Sequence, residues 1–197
     1  MENFLLIAHI VSGSIALLFG LMAAITRKGS KRHVQSGNIF FWTMMISSAT
    51  AIWLAIIHPN PFLLSIGIFT AYFCLTGKLI FIIKSWFQLT VLAVLGLVSS
   101  VALIVFDVQD KTISLGSAIG VITLVFAVLD IANQPKGSSK AIYHGIRMGS
   151  AYISATTAFT VNAIDFLPWY VGWILPSVIG TTMLFIGIGR FRKRMDM

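Results

Sequence analysis

Seven apolar stretches of about 20 residues, separated by short polar or turn-forming segments, constrain this chain more than any other feature. A helix needs about 20 apolar residues to cross the hydrocarbon core of a bilayer. Only 10% of the 197 residues are charged, whereas a typical soluble domain carries about 25%. We therefore predict an all-α fold, a polytopic transmembrane bundle of seven helices. The predicted spans are 3–26, 38–58, 61–83, 86–106, 113–131, 141–164 and 167–189.

Two of the breaks are proline turns, His58-Pro59-Asn60-Pro61 and Asp165-Phe166-Leu167-Pro168. Proline ends one helix and can open the next at its first turn. Each turn is therefore interpreted as a join between two spans, with a single re-entrant unit as the alternative. The first span lacks the positive start and the short apolar run of a signal peptide, so it is expected to remain as a helix.

The basic residues favour one orientation. If the N-terminus is outside, Lys111 is the only one of the 14 Lys and Arg residues on the outer side, and Asp107 and Asp110 accompany it. Because cytoplasmic segments carry the excess of bases, we predict an outer N-terminus and a cytoplasmic C-terminus. This accounts for the net charge of +8 without a nucleic-acid partner. Anionic lipid headgroups at the basic inner loops are the expected partners, especially at the C-terminal segment 190–194.

A weak internal repeat is present. Lys28-Gly29-Ser30 and Lys136-Gly137-Ser138 are each followed by a histidine and then by a helix with a run of small residues. This pattern favours a single membrane domain, 1–197, built from repeat units 1–85 and 107–197 joined by a linker helix, 86–106. Parallel repeats of this 3+1+3 kind occur in transporters. The alternative is that small residues and basic loops recur in any multispan protein.

Several short motifs that contain histidine, glycine or basic residues are spread along nearly the whole chain. They are His9-x-x-x-Gly13, Arg27-Lys28-Gly29, His33-x-x-x-Gly37, Asn60-Pro61-Phe62-Leu63, Tyr72, Gly77-Lys78, His144-x-x-Arg147-Met148, Tyr152, Ala158-Phe159 and Asn162. Together they resemble a bacterial family of multi-pass predicted membrane proteins, a domain of unknown function. The resemblance implies a bacterial cytoplasmic (inner) membrane protein and no particular reaction. Similar sequences often carry arginine where this chain has Lys78, and lysine does not reproduce the fork-like contacts of arginine.

Ionisable residues inside a bilayer are costly and are therefore candidate functional residues. Lys140, His144 and Arg147 recur at spacings of four and three, so they share one face of the sixth helix. Asp130 ends the fifth helix on the same side and is expected to reach Arg147 or His144. Two interpretations remain open: a structural ion pair between Asp130 and Arg147, or part of a ligand pocket.

Lys78 can extend its amine to the same level, and His33 is placed in the neighbouring inner loop. The resulting basic pocket at the cytoplasmic mouth suits an anionic headgroup, a quinone carbonyl or a carboxylate. Tyr72 lies within a span and can face such a cavity. The candidate ligand-binding residues are His33, Lys78, Asp130, His144, Arg147 and Tyr72.

The histidines allow a second class of site. Two imidazoles facing each other across a bundle are what a six-coordinate b-type haem needs, and imidazole also binds metal ions. The candidate ligands are His9, His33 and His144, whereas His58 closes a helix at a turn. The alternative for an intramembrane histidine is a hydrogen bond to a neighbouring Ser, Thr or carbonyl.

Three function classes follow from these residues. The first is the binding or transport of a small amphiphilic or anionic compound between helices near the cytoplasmic face. The second is a redox or metal-dependent membrane protein that uses haem b, a metal ion or quinone. The third is a structural accessory subunit of a membrane complex.

The orientation can be tested with reporter fusions. We expect alkaline phosphatase to be active when it follows the residue 107–114 loop and inactive at the C-terminus, with green fluorescent protein giving the opposite pattern. Phosphatase activity at both positions would contradict the predicted topology.

Overall fold

A computed structural model describes residues 2–82, 86–109, 115–133, 135–164, 166 and 168–195, and these form seven α-helices without a strand among them. The predicted all-α fold with seven helices is confirmed. The bounds are α1 (Glu2–Ile25), α2 (Lys31–Ile57), α3 (Pro61–Leu79), α4 (Trp86–Gln109), α5 (Leu115–Ala132), α6 (Ser139–Ala163) and α7 (Trp169–Met195).

Four helical segments of the described chain are long and apolar enough to cross a membrane: Glu2–Ile25, Lys31–Ile57, Pro61–Leu79 and Tyr170–Lys193. Shorter apolar stretches occupy parts of α4 and α5. Helix α6 is more polar than the other helices because it carries Lys140, His144 and Arg147. Its buried residues include Arg147, Thr157 and Thr160, so its polar side chains are partly enclosed by other helices.

Helix α2 begins at Lys31 rather than at the predicted residue 38. The Ser30 side chain accepts a hydrogen bond from the His33 backbone N–H at 3.2 Å and caps the helix. The polar residues after Ser30 therefore continue the helix instead of forming a loop. The prediction that His33 lies in a loop is wrong, since His33 occupies the first turn of α2.

The two Lys-Gly-Ser loops share a glycine with a positive φ angle but differ at the serine that follows. Gly29 and Gly137 adopt positive φ angles of 78° and 54°, which glycine tolerates without steric penalty. The following serines, Ser30 and Ser138, occupy the N-cap positions of α2 and α6. Ser30 is extended and its side chain caps α2, whereas Ser138 is already in the helical region and makes no side-chain cap bond. The loops thus match only at the glycine, and the larger repeat stays a prediction. Lys84, Asp110, Lys111, Asp165 and Leu167, which belong to the predicted loops, lie outside the described residues.

Helix α3 is the centre of the bundle and contacts α2, α4, α5 and α6. Helix α1 packs along α2, α7 packs along α6, and α4 packs along α5. The core of the bundle is rich in aromatic residues, and Phe40, Phe73 and Cys74 are almost fully buried in it. The single cysteine is a free thiol.

Glycine allows α3 and α6 to approach closely. A Cβ built on Gly77 would lie 2.8 Å from Arg147 Cβ and 3.1 Å from Met148 Sδ. Small residues at helix contacts permit such close approach of backbones. Gly77 therefore sets the spacing at which the polar residues of α6 face α3.

We expect Gly77→Ala to destabilise the protein in detergent by about 1–3 kcal/mol, because the added methyl overpacks the contact with α6. Gly145→Ala is the matched control, since a Cβ there meets no atom within 4 Å. Alanine also favours the helix by up to about 1 kcal/mol, so the control should be neutral or stabilising. The melting temperatures of the two variants measure these effects. If Gly77→Ala and Gly145→Ala shift the melting temperature equally, the close packing at Gly77 is contradicted.

Candidate functional site

A buried ion pair joins α5 to α6. The Arg147 Nη2 atom donates to Asp130 Oδ1 at 2.5 Å, and both side chains are 2% exposed. Arg147 Nη2 also donates to the Phe126 carbonyl at 3.3 Å. The Tyr72 hydroxyl on α3 donates to Asp130 Oδ2 at 2.5 Å. Both carboxylate oxygens are thereby satisfied, which a buried charged pair requires if it is to persist.

Four aromatic rings surround the Arg147 guanidinium. The Cζ atom lies 4.5 Å from the ring centroid of Phe73, 4.6 Å from Phe126, 4.8 Å from Tyr143 and 5.4 Å from Tyr72. A cation is attracted to the negative face of an aromatic ring within about 6 Å. The rings come from α3, α5 and α6, so the guanidinium holds these three helices together.

Two donors of this cluster are left unused. Arg147 Nη1 and the Tyr143 hydroxyl are buried and have no hydrogen-bond partner in the part of the chain that the structure describes. Tyr143 precedes Arg147 by one helical turn, so both side chains lie on the same face of α6. This interior can therefore take up one more hydrogen-bond acceptor, such as a water molecule.

Two imidazoles meet nearer the end of the bundle. The ring centroids of His33 on α2 and His144 on α6 are 6.4 Å apart, with an interplanar angle of 80°. His33 Nδ1 donates to the Ala23 carbonyl at 3.0 Å, and His144 Nδ1 donates to the Gly77 carbonyl at 2.7 Å. These backbone contacts orient both rings. The exposed Phe81 ring lies 5.3 Å from the His144 ring.

Lys78 lies beside the imidazole pair and is half-buried. Its amine donates to Asn38 Oδ1 on α2 and lies 5.9 Å from the centroid of the Phe41 ring. The structure describes the side chains of two acids, and neither is free: Asp130 pairs with Arg147, and Glu2 lies 3.6 Å from His58. Within the described chain, Lys78 therefore has no carboxylate partner.

A groove of about 670 Å³ runs between α1 and α2, and Asn38 is one of the residues that line it. Phe19, Met22 and Ile39 form part of its apolar wall, and Arg32 and Gln35 supply polar groups. The groove thus has the amphipathic lining that suits a molecule with an apolar body and a polar head. Sequence patterns did not identify it, because its residues come from two helices.

His9 lies far from the other candidate metal ligands. Its Nδ1 donates to the Ser47 carbonyl at 3.0 Å and is 3.3 Å from Thr50 Oγ1. His33 contacts Ala23 on the same helix, which at about 1.5 Å per residue is roughly 21 Å from His9 along the axis. The three histidines predicted as metal or haem ligands are therefore not brought together. Among the described residues there is no group of three or more His, Cys, Asp or Glu side chains that suits a metal ion.

The candidate ligand-binding residues fall into two adjoining groups. Tyr72, Asp130 and Arg147 form the buried cluster, while His33, Lys78 and His144 lie nearer the helix ends. The two groups are linked because Gly77, next to Lys78, contacts both Arg147 and His144. Sequence reasoning missed Tyr143, although its spacing of four residues from Arg147 places it on the same helix face.

Comparison of the chain with protein-family models, curated proteins and solved structures finds no match. The resemblance inferred from the sequence motifs therefore stays a prediction.

The buried pair can be tested with a double-mutant cycle. Removing one partner leaves an uncompensated buried charge, so Asp130→Leu and Arg147→Met should each cost about 3–5 kcal/mol. The double variant should be more stable than either single variant, because no buried charge remains. Glu2→Gln, at the exposed pair with His58, is the control and should change stability by less than about 1 kcal/mol. Thermal or chemical unfolding measures the free energy of unfolding of each variant. If the loss in the double variant equals the sum of the losses in the two single variants, the residues are not coupled.

Proposed function

We propose that the chain is an integral protein of the bacterial cytoplasmic membrane, with all seven helices in one bundle and the N-terminus outside. Large apolar side chains on the outer surface support this proposal: Phe4 is 74% exposed, Phe185 69% and Met183 67%. Exposed apolar area of this extent needs an apolar solvent or a partner. The parallel 3+1+3 repeat is part of the same proposal, and the positive φ angle shared by Gly29 and Gly137 supports it.

The end of the bundle that carries the basic loops is the proposed cytoplasmic end. The C-terminal ends of α1 and α3 and the N-terminal ends of α2 and α6 meet there, because His33 contacts Ala23 and His144 while His144 contacts Gly77. Arg27, Lys28, Lys31, Arg32, Lys136 and Lys140 belong to this end. Bases at this level are attracted to the anionic headgroups of the inner leaflet.

Within this end, we propose a binding site for a small amphiphilic anion. The observation that carries the proposal is Lys78, which is half-buried and has no acid to pair with among the described side chains. A partly buried charge is costly unless it is paired. A carboxylate or phosphate group on a ligand supplies that pairing through charge-assisted hydrogen bonds.

The groove between α1 and α2 supports an amphiphilic rather than a fully polar ligand. Its apolar wall suits a hydrocarbon body, and Arg32 offers a guanidinium that can bind a carboxylate with two parallel hydrogen bonds. Asn38 lines the groove and also accepts from Lys78. Lys78 can therefore bind the head group of a ligand whose apolar body lies in the adjoining groove.

The buried cluster has a positioning role in this proposal. Arg147 is neutralised by Asp130, and the Tyr72 hydroxyl is already engaged. These three residues hold α3, α5 and α6 in place so that Lys78 and His144 face α2. Binding is the step that these contacts support, and transport of the same compound across the membrane would start from this site.

Dodecanoate and its neutral analogue dodecanol test the proposal in the purified, full-length protein in uncharged detergent. We expect dodecanoate to raise the melting temperature more than dodecanol does, because Lys78 pairs with the carboxylate. Lys78→Gln should weaken dodecanoate binding about tenfold or more, as expected for loss of a charge-assisted hydrogen bond. Isothermal titration calorimetry gives the affinities.

Lys136→Gln is the matched control, since Lys136 is an exposed lysine of the same end. Its affinity for dodecanoate should equal that of the native protein. Equal binding of acid and alcohol, or equal losses in the two lysine variants, would contradict the anion site and favour the accessory-subunit alternative.

A further inference from the structure

The groove between α1 and α2 runs lengthwise along both helices. On α2, Arg32, Gln35 and Ile39 recur at spacings of three and four, so they follow one another along one face. On α1, Phe19 and Met22 contribute to the facing wall. At 1.5 Å per residue, the stretch from Arg32 to Ile39 is about 10 Å long.

The lining changes from polar to apolar along this length. Arg32 lies in the first turn of α2, Gln35 lies about one turn further along, and Ile39 and Phe19 lie deeper. The deeper polar residue Asn38 already accepts from Lys78. In the proposed orientation, the groove therefore runs from the head-group level into the inner leaflet. Half of a hydrocarbon core of about 30 Å is about 15 Å, so the groove covers most of the depth of one leaflet.

The groove opens on the outer surface of the bundle. Among its apolar residues, Ile25 is 73% exposed, Met22 41% and Ile39 38%. Helix α1 packs mainly along α2, with a smaller contact to α6, and these side chains are left uncovered by the other helices of the described chain. In a membrane, such a surface contacts lipid chains. The groove is therefore accessible from the bilayer.

The mouth of the groove carries an excess of positive charge. Arg27, Lys28, Lys31 and Arg32 lie close together, and the sequence has no Asp or Glu between residues 3 and 106. The Lys28 amine donates to two backbone carbonyls at the end of α1, whereas Arg32 lines the groove. A guanidinium binds phosphate with two parallel hydrogen bonds. This charge favours a lipid with an anionic head group over a zwitterionic one.

We propose that the groove between α1 and α2 binds one anionic glycerophospholipid of the inner leaflet. The Arg32 guanidinium binds the phosphate diester, and the Gln35 amide donates to an ester carbonyl just below it. One acyl chain lies along Phe19, Met22 and Ile39, and the second chain stays in the bilayer. The groove volume of about 670 Å³ is in the range of single-ligand pockets. The inference rests on the proposed membrane location, and it does not depend on Lys78.

Phosphatidylglycerol with one palmitoyl and one oleoyl chain is the probe, added to the purified full-length protein in uncharged detergent. Phosphatidylcholine with the same chains is its zwitterionic counterpart. Native mass spectrometry should show one phosphatidylglycerol retained per protein chain, with an affinity about tenfold or more above that for phosphatidylcholine. Glycerol phosphate, which lacks the chains, should bind far more weakly. Equal affinity for the two lipids, or for glycerol phosphate and phosphatidylglycerol, would overturn the proposal.

Arg32→Gln tests the head-group contact. It should weaken phosphatidylglycerol binding about tenfold or more, because charge-assisted hydrogen bonds are lost. Arg192→Gln is the matched control, since Arg192 is an exposed arginine near the end of α7 and does not line the groove. This control should keep the native affinity. Equal losses in the two variants would indicate a diffuse attraction to basic residues and would overturn the specific site.

Met22→Trp tests the acyl-chain contact and keeps the proposal testable if Arg32→Gln fails to fold. The larger side chain fills part of the groove, so phosphatidylglycerol affinity should fall about tenfold, as expected when about two methylene groups lose apolar contact. Leu21→Trp is the matched control, because Leu21 is 49% exposed and does not line the groove. Melting temperatures without lipid show whether each variant folds. Native affinity in a folded Met22→Trp variant would contradict the position of the chain.

The dodecanoate experiment keeps the two proposals apart. Lys78→Gln should retain phosphatidylglycerol binding while it loses dodecanoate binding. If dodecanoate binding depends on Lys78 but phosphatidylglycerol binding does not depend on Arg32, the lipid inference is wrong and the anion site stands. If phosphatidylglycerol binding depends on Arg32 but dodecanoate binding does not depend on Lys78, the lipid site stands and the anion site is wrong.

Discussion

The buried contact between Arg147 and Asp130 is the interaction on which the bundle depends. It joins α5 to α6 at a point where the guanidinium also faces aromatic rings from α3, α5 and α6. A charged pair in an apolar interior is stable only when its hydrogen bonds are complete, and Tyr72 and the Phe126 carbonyl complete most of them. Gly77 lets α3 come close enough for this arrangement. Three helices are thereby fixed in one geometry.

The same geometry determines where chemistry can occur. With Arg147 neutralised and enclosed, the residues that remain available are those near the helix ends: Lys78 without a carboxylate partner in the described chain, and His33 facing His144. The buried cluster therefore supports the bundle, and the binding site is proposed at the end of the bundle.

Spacing along single helices predicted much of this site. The interval between His144 and Arg147 placed both on one face of α6, and the position of Asp130 near the end of α5 placed it within reach. The same spacing places Tyr143 beside Arg147, but Tyr143 was missed because an uncharged side chain gives no electrostatic signal in the sequence. His33 was placed in a loop because the polar-rich segment 31–37 was interpreted as a break. The Ser30 cap instead starts the helix before this segment. His9 was grouped with the other histidines by residue type alone, and its distance from them follows from helix length.

Helix number, helix class and the concentration of bases at particular loops were determined by the sequence itself, because each depends on the local order of apolar and charged residues. The choice of Arg147 over His144 as the partner of Asp130, the meeting of His33 with His144, and the groove between α1 and α2 were decided only by the tertiary structure. Each of these depends on how helices distant in sequence rotate and approach one another. That approach is set by side-chain volume and by glycines such as Gly77, which leave no periodic signal in the chain.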